Sequence, residues 1–201
     1  MNKNLYKVLY DGFEPSMNKI CIEIPDKRKI SFKDLDKISA QFASFLKKIG
    51  LKKGDRMICQ IDKSLAAIGL YLGCLRNGII YTPLNTSYKT DEVEYFIENI
   101  EPKLFIGSPN SSDTNKEICS KLSVPFFETI GTDDDDSFFK KILLMKPSYI
   151  FEDCNGYDIA AILFTSGTTG KSKGAMITPV SYTHLRAHET LRYLVCRLLL
   201  E

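Results

Sequence analysis

Apolar residues along this chain repeat with two periods, and the switches between them outline an ordered set of elements. Leu35, Ile38, Phe42, Phe45, Leu46 and Ile49 recur at helical spacing, with Ser31 and Asp34 as a capping pair ahead of them and Gly50 behind. That pattern predicts a helix between Ser31 and Gly50. Residues 4–12 read as a short opening helix, residues 64–77 as another with Gly78 past its end, and residues 91–100 as a fourth with Thr90 as its cap. Asp91, Glu92 and Glu94 fall in the first turn of that last helix, where the macrodipole favours them. Residues 117–122 and 137–145 complete the helical set.

Short apolar runs between these segments read as strands. They are Ile20–Ile24 paired with residues 29–30 around a Pro-Asp-Lys-Arg turn, then residues 56–61, 79–81, 103–106, 124–127, 159–164 and 175–178. Residues 107–115 read as a polar surface loop, and residues 146–156 as a connection. Helices alternating with strands argue an α/β class with a largely parallel sheet flanked by helices. No internal repeat or low-complexity segment is evident.

The most informative stretch follows the run that ends at Phe164. Thr165, Ser166, Gly167, Thr168, Thr169, Gly170, Lys171, Ser172 and Lys173 bring hydroxyls, glycines and two lysines together, and no acidic residue lies between Asp158 and Glu189. Glycines let backbone N–H groups approach phosphate oxygens closely, the hydroxyls donate further hydrogen bonds, and the lysines add point charge. The chemistry is that of a loop for nucleotide phosphates. A Walker A loop needs Gly at the position held by Thr165, so that motif is missed. A flexible Gly/Ser/Thr linker is the plain alternative, but linkers rarely join two buried-looking strands.

This loop resembles the phosphate-binding signature of the adenylate-forming (AMP-binding) enzymes, a family that includes acyl-CoA synthetases, luciferases and peptide-synthetase adenylation domains. Residues 62–78 resemble the helix before the family's core strand. The Leu84, Asn85, Thr86, Ser87, Tyr88 turn resembles the malonyl-CoA synthetase branch, and residues 101–105 continue that similarity. The resemblance runs over residues 1–178. It implies the N-terminal part of the family's large domain. It also implies a two-step reaction, in which a carboxylate and ATP give an acyl-adenylate and pyrophosphate, and coenzyme A then displaces AMP.

Thr165, Ser166, Thr168 and Thr169, with the N–H groups around Gly167 and Gly170, are expected to cradle the β- and γ-phosphates of ATP. Lys171 or Lys173 adds charge, with Lys173 matching the basic end of the signature. ATP, Mg2+ and coenzyme A are the implied cofactors and cosubstrate, and a small carboxylic acid, malonate or methylmalonate, the implied substrate. A medium- or long-chain fatty acid is the alternative substrate, and a non-catalytic nucleotide-binding fragment the alternative class. The resemblance places the adenine and carboxylate pockets, the magnesium ligand and the adenylating lysine beyond this stretch. No catalytic residue or metal ligand is therefore assigned within it, and the chain by itself is expected to be inactive.

Residues 179–201 differ in character. Residues 1–178 hold 21 Lys and 3 Arg, whereas the last stretch holds 3 Arg, no Lys and both histidines, His184 and His188. Residues 179–190 and 194–201 read like a translated transposase adapter used in DNA library preparation, with residues 191–193 as a variable index. A non-native tail is therefore expected from Pro179 onward. Leu191, Leu194, Val195, Leu198 and Leu199 nevertheless have helical spacing.

Charge and cysteine usage narrow the function classes. Residues 1–178 carry 24 basic and 23 acidic side chains, which gives no electrostatic footprint for nucleic acid or a membrane surface. The five cysteines Cys21, Cys59, Cys74, Cys119 and Cys154 form no C-x-x-C pair, and no histidine precedes His184. A zinc site is not expected, and the thiols read as small buried apolar groups in a reducing compartment. No signal peptide or arginine-rich leader is visible, and the expected location is cytoplasmic. The acidic run at residues 133–136 reads as a solvated loop rather than a cation site. Tyr81, Tyr88 and Tyr95 read as packing aromatics.

Overall fold

The computed structural model describes residues 2–24, 28–132, 136–165 and 172–186. In chain order the elements are helix α1 (Leu5–Phe13), strands β1 (Ile20–Ile24) and β2 (Arg28–Ser31), helix α2 (Phe32–Lys48) and β3 (Arg56–Gln60). Then come α3 (Leu65–Arg76), β4 (Ile80–Pro83), α4 (Thr90–Ile100), β5 (Leu104–Gly107), α5 (Ser112–Lys121) and β6 (Phe126–Thr129). Helix α6 (Ser137–Leu143), β7 (Ala161–Thr165), β8 (Lys173–Ile177) and α7 (Pro179–Arg186) complete the set.

β1 and β2 form an antiparallel hairpin of their own. The other six strands make one sheet in the order β6-β5-β3-β4-β7-β8. Every neighbouring pair from β6 to β7 is parallel, and β8 alone runs antiparallel, beside β7. The α/β class with a largely parallel sheet is therefore what the chain adopts.

Strand alternation sorts the core into two layers. Met57, Cys59, Tyr81, Leu104 and Ile106 face α1, α2, α3 and α6, whereas Ile58, Phe105, Ile162 and Phe164 face α4 and α5. Helix α3 is buried along its whole length between α2 and the sheet, which accounts for its apolar residues on every side.

Two glycines of α3 set how closely it approaches α2. A Cβ at Gly73 would lie 2.7 Å from Phe42 Cβ and 3.1 Å from the Ser39 carbonyl oxygen, which is backbone and has no other rotamer to adopt. Gly73→Val is expected to lower stability by about 1–3 kcal/mol through overpacking; an unchanged thermal midpoint would contradict so close a contact.

The ends of these helices follow the sequence to within two residues, apart from the start of α5. Ser31 and Asp34 form the full capping box of α2: the Asp34 N–H donates to Ser31 Oγ at 3.1 Å, and the Ser31 N–H to Asp34 Oδ2 at 3.0 Å. Hydrogen bonds from the Ser31 side chain and backbone hold the Asp34 carboxyl below its ordinary value. Because the folded value is depressed, the cap's contribution is complete above the ordinary carboxylate pKa of about 3.9 and is lost as pH falls through the folded value. The gap in thermal midpoint between the native chain and Asp34→Ala is thus expected to close on acidification below about pH 4, and a pH-independent gap would contradict it.

In α4 the cap lies one residue earlier than the sequence suggested. Lys89 takes extended backbone and its N–H donates to Glu92 Oε2 at 2.9 Å, which makes Thr90 the first helical residue. The polar stretch 107–115 is not a loop throughout, because Pro109 opens a short 3-10 turn that runs into α5 at Ser112. Asn115 is buried there and donates to Gln60 Oε1 at 3.0 Å, so its polarity serves a contact with the sheet instead of water. Asp136, the described member of the acidic run, caps α6 by accepting from the N–H groups of Phe138 and Phe139. The turn at residues 25–27, residues 133–135, the tail beyond Arg186 and Cys196 lie outside the described residues.

A buried ion pair ties the α1–α3 layer together. Arg76 is fully buried, and its Nη2 donates to the Asp36 carboxylate and to Ser39 Oγ. The Tyr6 hydroxyl donates to the same carboxylate at 2.8 Å. The guanidinium plane lies 4.3 Å from the Tyr6 ring centroid and 5.0 Å from that of Phe151, so it is held between aromatic faces. The backbone of the same arginine anchors the connection into β7, with the Glu152 N–H donating to the Arg76 carbonyl at 2.9 Å. Asn4 closes the junction: its Nδ2 donates to the carbonyls of Leu75, Arg76 and Glu152 while its Oδ1 caps α1.

Cys59, Cys74, Cys119 and Cys154 are buried free thiols and Cys21 is half-buried. Burial pushes the thiols of Cys59 and Cys119 up to about 12, which leaves them protonated and packed as apolar groups. Among the described residues no helix is long and apolar enough to cross a membrane.

Candidate functional site

The strands on either side of the hydroxyl-rich segment pair directly. β7 and β8 are antiparallel with Thr165 opposite Lys173 and Phe164 opposite Gly174, and the Thr165 hydroxyl donates to the Lys173 carbonyl at 3.4 Å. The two strands therefore form a hairpin, and Thr165 and Lys173, both exposed, are the described residues at its open end. Ser166, Gly167, Thr168, Thr169, Gly170 and Lys171 lie outside the described residues.

Direction follows from the sheet. β7 runs parallel to β4, so Thr165 lies at the same sheet edge as the carboxyl ends of β3, β4 and β5. In open α/β sheets ligands bind outside that edge. Gly174 suits the second leg: a Cβ there would lie 3.0 Å from Ile162 Cγ2 and 3.4 Å from the Phe164 ring. A side chain at that position would press on the strand that leads into the turn.

Helix α4 packs behind the hairpin. The Phe96 ring lies 4.5 Å from that of Phe164, the residue before Thr165, and Tyr95 and Tyr88 pack on Phe96 at 5.6 and 4.9 Å. The Tyr95 hydroxyl donates to the Ser172 carbonyl at 3.3 Å. The packing roles expected of the three tyrosines hold, with Tyr81 buried against Tyr71 at 5.0 Å. The Tyr95 contact with the hairpin leg carried no sequence signal, since helical spacing marks its neighbour Phe96 as the core residue and leaves Tyr95 beside it.

A separate cavity of about 490 Å³ opens on the opposite layer, between α1, α2 and the 149–151 segment, with Tyr10, Asp36, Arg76, Tyr149 and Phe151 among its lining. Its charged lining comprises Lys33, Asp34 and Lys37 together with the Arg76–Asp36 pair, in which Arg76 Nη2 is bonded while Nε and Nη1 have no hydrogen-bond partner among the described residues. Thr165 and Lys173, two of the residues expected to hold phosphate, are paired at the hairpin instead.

Residues 13–195 match the family described as AMP-binding enzyme. The chain belongs to that family. Its fold superposes on the crystal structure of ATP-bound MatB from Rhodopseudomonas palustris with a TM-score of 0.84 and 36% identity, over 96% of this chain and 38% of that one. The long-chain-fatty-acid–CoA ligase of Escherichia coli O157:H7 is 26% identical over 211 residues, covering 89% of this chain and 38% of the ligase. Gramicidin S synthase 2 of Brevibacillus brevis is 25% identical over 184 residues, covering 92% of this chain and 4% of the synthase. The chain thus spans well under half the length of these AMP-binding relatives. The family match extends past Thr178 into the stretch expected to be a tail, and the first part of that stretch is helix α7, with Tyr182 buried. The helical spacing at residues 191–199 lies outside the described residues.

Proposed function

We propose that this chain is the N-terminal part of an ATP-dependent acid–thiol ligase acting on malonate or methylmalonate. A carboxylate oxygen attacks the α-phosphorus of ATP, the bond to the β-phosphate oxygen breaks, and pyrophosphate leaves. Coenzyme A sulfur then attacks the acyl carbon and AMP departs, which yields the thioester. The carrying observation is the hairpin: Thr165 and Lys173 are paired at the carboxyl edge of a parallel sheet, with the Ser166–Lys171 sequence strung between them.

Within this reading the hairpin holds the β- and γ-phosphates. Thr165 supplies a hydroxyl and Lys173 a positive charge at its bases, where negative charge grows on the departing pyrophosphate. Lys173 meets no competing carboxylate from its own stretch of chain, because none occurs between Asp158 and Glu189. Magnesium, when bound, would neutralise the same phosphate charge; no residue of this chain is assigned to it.

Support for a short diacid is the Leu84–Tyr88 turn and the 36% identity to the MatB structure, against 26% to the long-chain ligase. The long-chain ligase supports fatty acid as the second reading. The proposed location is cytoplasmic, and residues 179–201 are proposed to be a tail of adapter origin, a reading that ends if the coding DNA there shares nothing with an adapter. The deciding experiment is a CoA-thioester assay on the full-length protein that carries this chain, with malonate, methylmalonate and acids of increasing length. Turnover of malonate above all longer acids supports the proposal; preference for a long acid transfers it to the second reading, and no thioester with any acid ends both.

A further inference from the structure

The phosphate hairpin has two legs, and they are held differently. The incoming leg is a strand with neighbours on both sides, β4 and β8. The outgoing leg, β8, is paired on one side to β7, and its residues from Lys173 to Met176 are exposed. Ser172 precedes it, next to the lysine to which the phosphate charge is assigned. At that residue the described structure carries a contact from outside the hairpin: the Tyr95 hydroxyl on the Ser172 carbonyl.

We infer that Tyr95 is a positioning residue that fixes the outgoing leg of the hairpin and thereby aims Lys173 at the phosphate. The inference rests on the phosphate reading of the hairpin. Two observations set Tyr95 apart from an aromatic that only packs. Its ring lies against Phe96, which in turn packs on Phe164 of the incoming leg, so one helix reaches both legs through adjacent residues. Its hydroxyl then spends its hydrogen on a backbone carbonyl, a contact that depends on the path of the chain and not on the side chain at 172. An extended backbone moves little when its carbonyl is held, and the Lys173 stem begins at the next residue. Removing the hydrogen bond frees the leg to sample other directions, and the cost falls on binding of the phosphate instead of on the fold.

Tyr95→Phe keeps the ring and deletes the hydroxyl. Inorganic pyrophosphate is the probe, titrated calorimetrically into the full-length protein that carries this chain and into its variants, with thermal melting run on the same samples. Tyr95→Phe is expected to weaken pyrophosphate binding by about threefold to tenfold, the value of one neutral hydrogen bond, with an unchanged melting midpoint. Tyr88→Phe, which trims the other tyrosine on the Phe96 ring, is expected to bind as the native chain does. Native affinity in Tyr95→Phe, or an affinity loss matched by a fall in melting midpoint, overturns the positioning role and leaves the phosphate reading standing. A native full-length protein that takes up no pyrophosphate overturns the phosphate reading and this inference with it.

Discussion

Replacing Arg76 with methionine is expected to cost about 3–5 kcal/mol, because it strands the Asp36 carboxylate in an interior that was built around a cation. Arg76 is fully buried and the Asp36 side chain is 7% exposed, so the carboxylate is only slightly hydrated and depends on the guanidinium. The Tyr6 hydroxyl remains as one donor to that carboxylate, which is insufficient for a full charge. Domains of this size are stable by about 5–15 kcal/mol, so the variant should unfold early in urea or fail to fold. Stability should partly return in the double variant Arg76→Met/Asp36→Leu, since two apolar groups need no partner. Lys121→Ala breaks the exposed pair with Glu94 and is the contrast: its lysine is 63% exposed, and the urea midpoint should move little. An Arg76→Met variant as stable as Lys121→Ala would show that the pair is not the tie described above.

The second large effect belongs to Lys173. Lys173→Ala is expected to weaken pyrophosphate binding by the full-length protein about 10- to 100-fold, the range for a charge-assisted contact. In the full-length protein the same change should slow carboxylate-dependent pyrophosphate–ATP exchange by a larger factor than it raises the half-saturating carboxylate concentration. On the proposed reaction the asymmetry follows from where the charge acts: negative charge accumulates on the departing pyrophosphate during the first step, whereas the carboxylate is bound before it. Raising salt should narrow the gap between the native and variant chains, because Lys173 is exposed and its attraction is screened. Exchange that proceeds at the native rate without the Lys173 ammonium would remove the lysine from the site.

How much of this was legible depended on what each residue answers to. Helix α2 was readable end to end because its capping box, apolar spacing and terminal glycine are all local. The proposed phosphate hairpin stands out in the sequence because hydroxyls, glycines and lysines concentrate there without acids. Its pairing, Thr165 opposite Lys173, needed the strand register. Residues 107–115 read as a solvated loop because their side chains are polar, whereas Asn115 turns its amide to Gln60 of β3. The cap of α4 shifted by one residue because a backbone N–H reaching Glu92 serves as well as a threonine hydroxyl. Arg76 gave no warning of its burial: a single arginine at the end of an apolar helix reads as solvated, and the acid it needs is 40 residues away in sequence. Tyr95 was obscured by its neighbour, whose periodicity accounts for the core.

The Asn4 junction implies an order of events in synthesis. A nascent chain emerges from its amino end, yet the carboxamide of Asn4 waits for the Glu152 carbonyl, some 148 residues later. Until that point has left the ribosome, the strap over the arginine has nothing to fasten to. The bonds from Asn4 to Leu75 and Arg76 can form once the first 76 residues are out, so the clasp on Glu152 is the step of this junction that closes late.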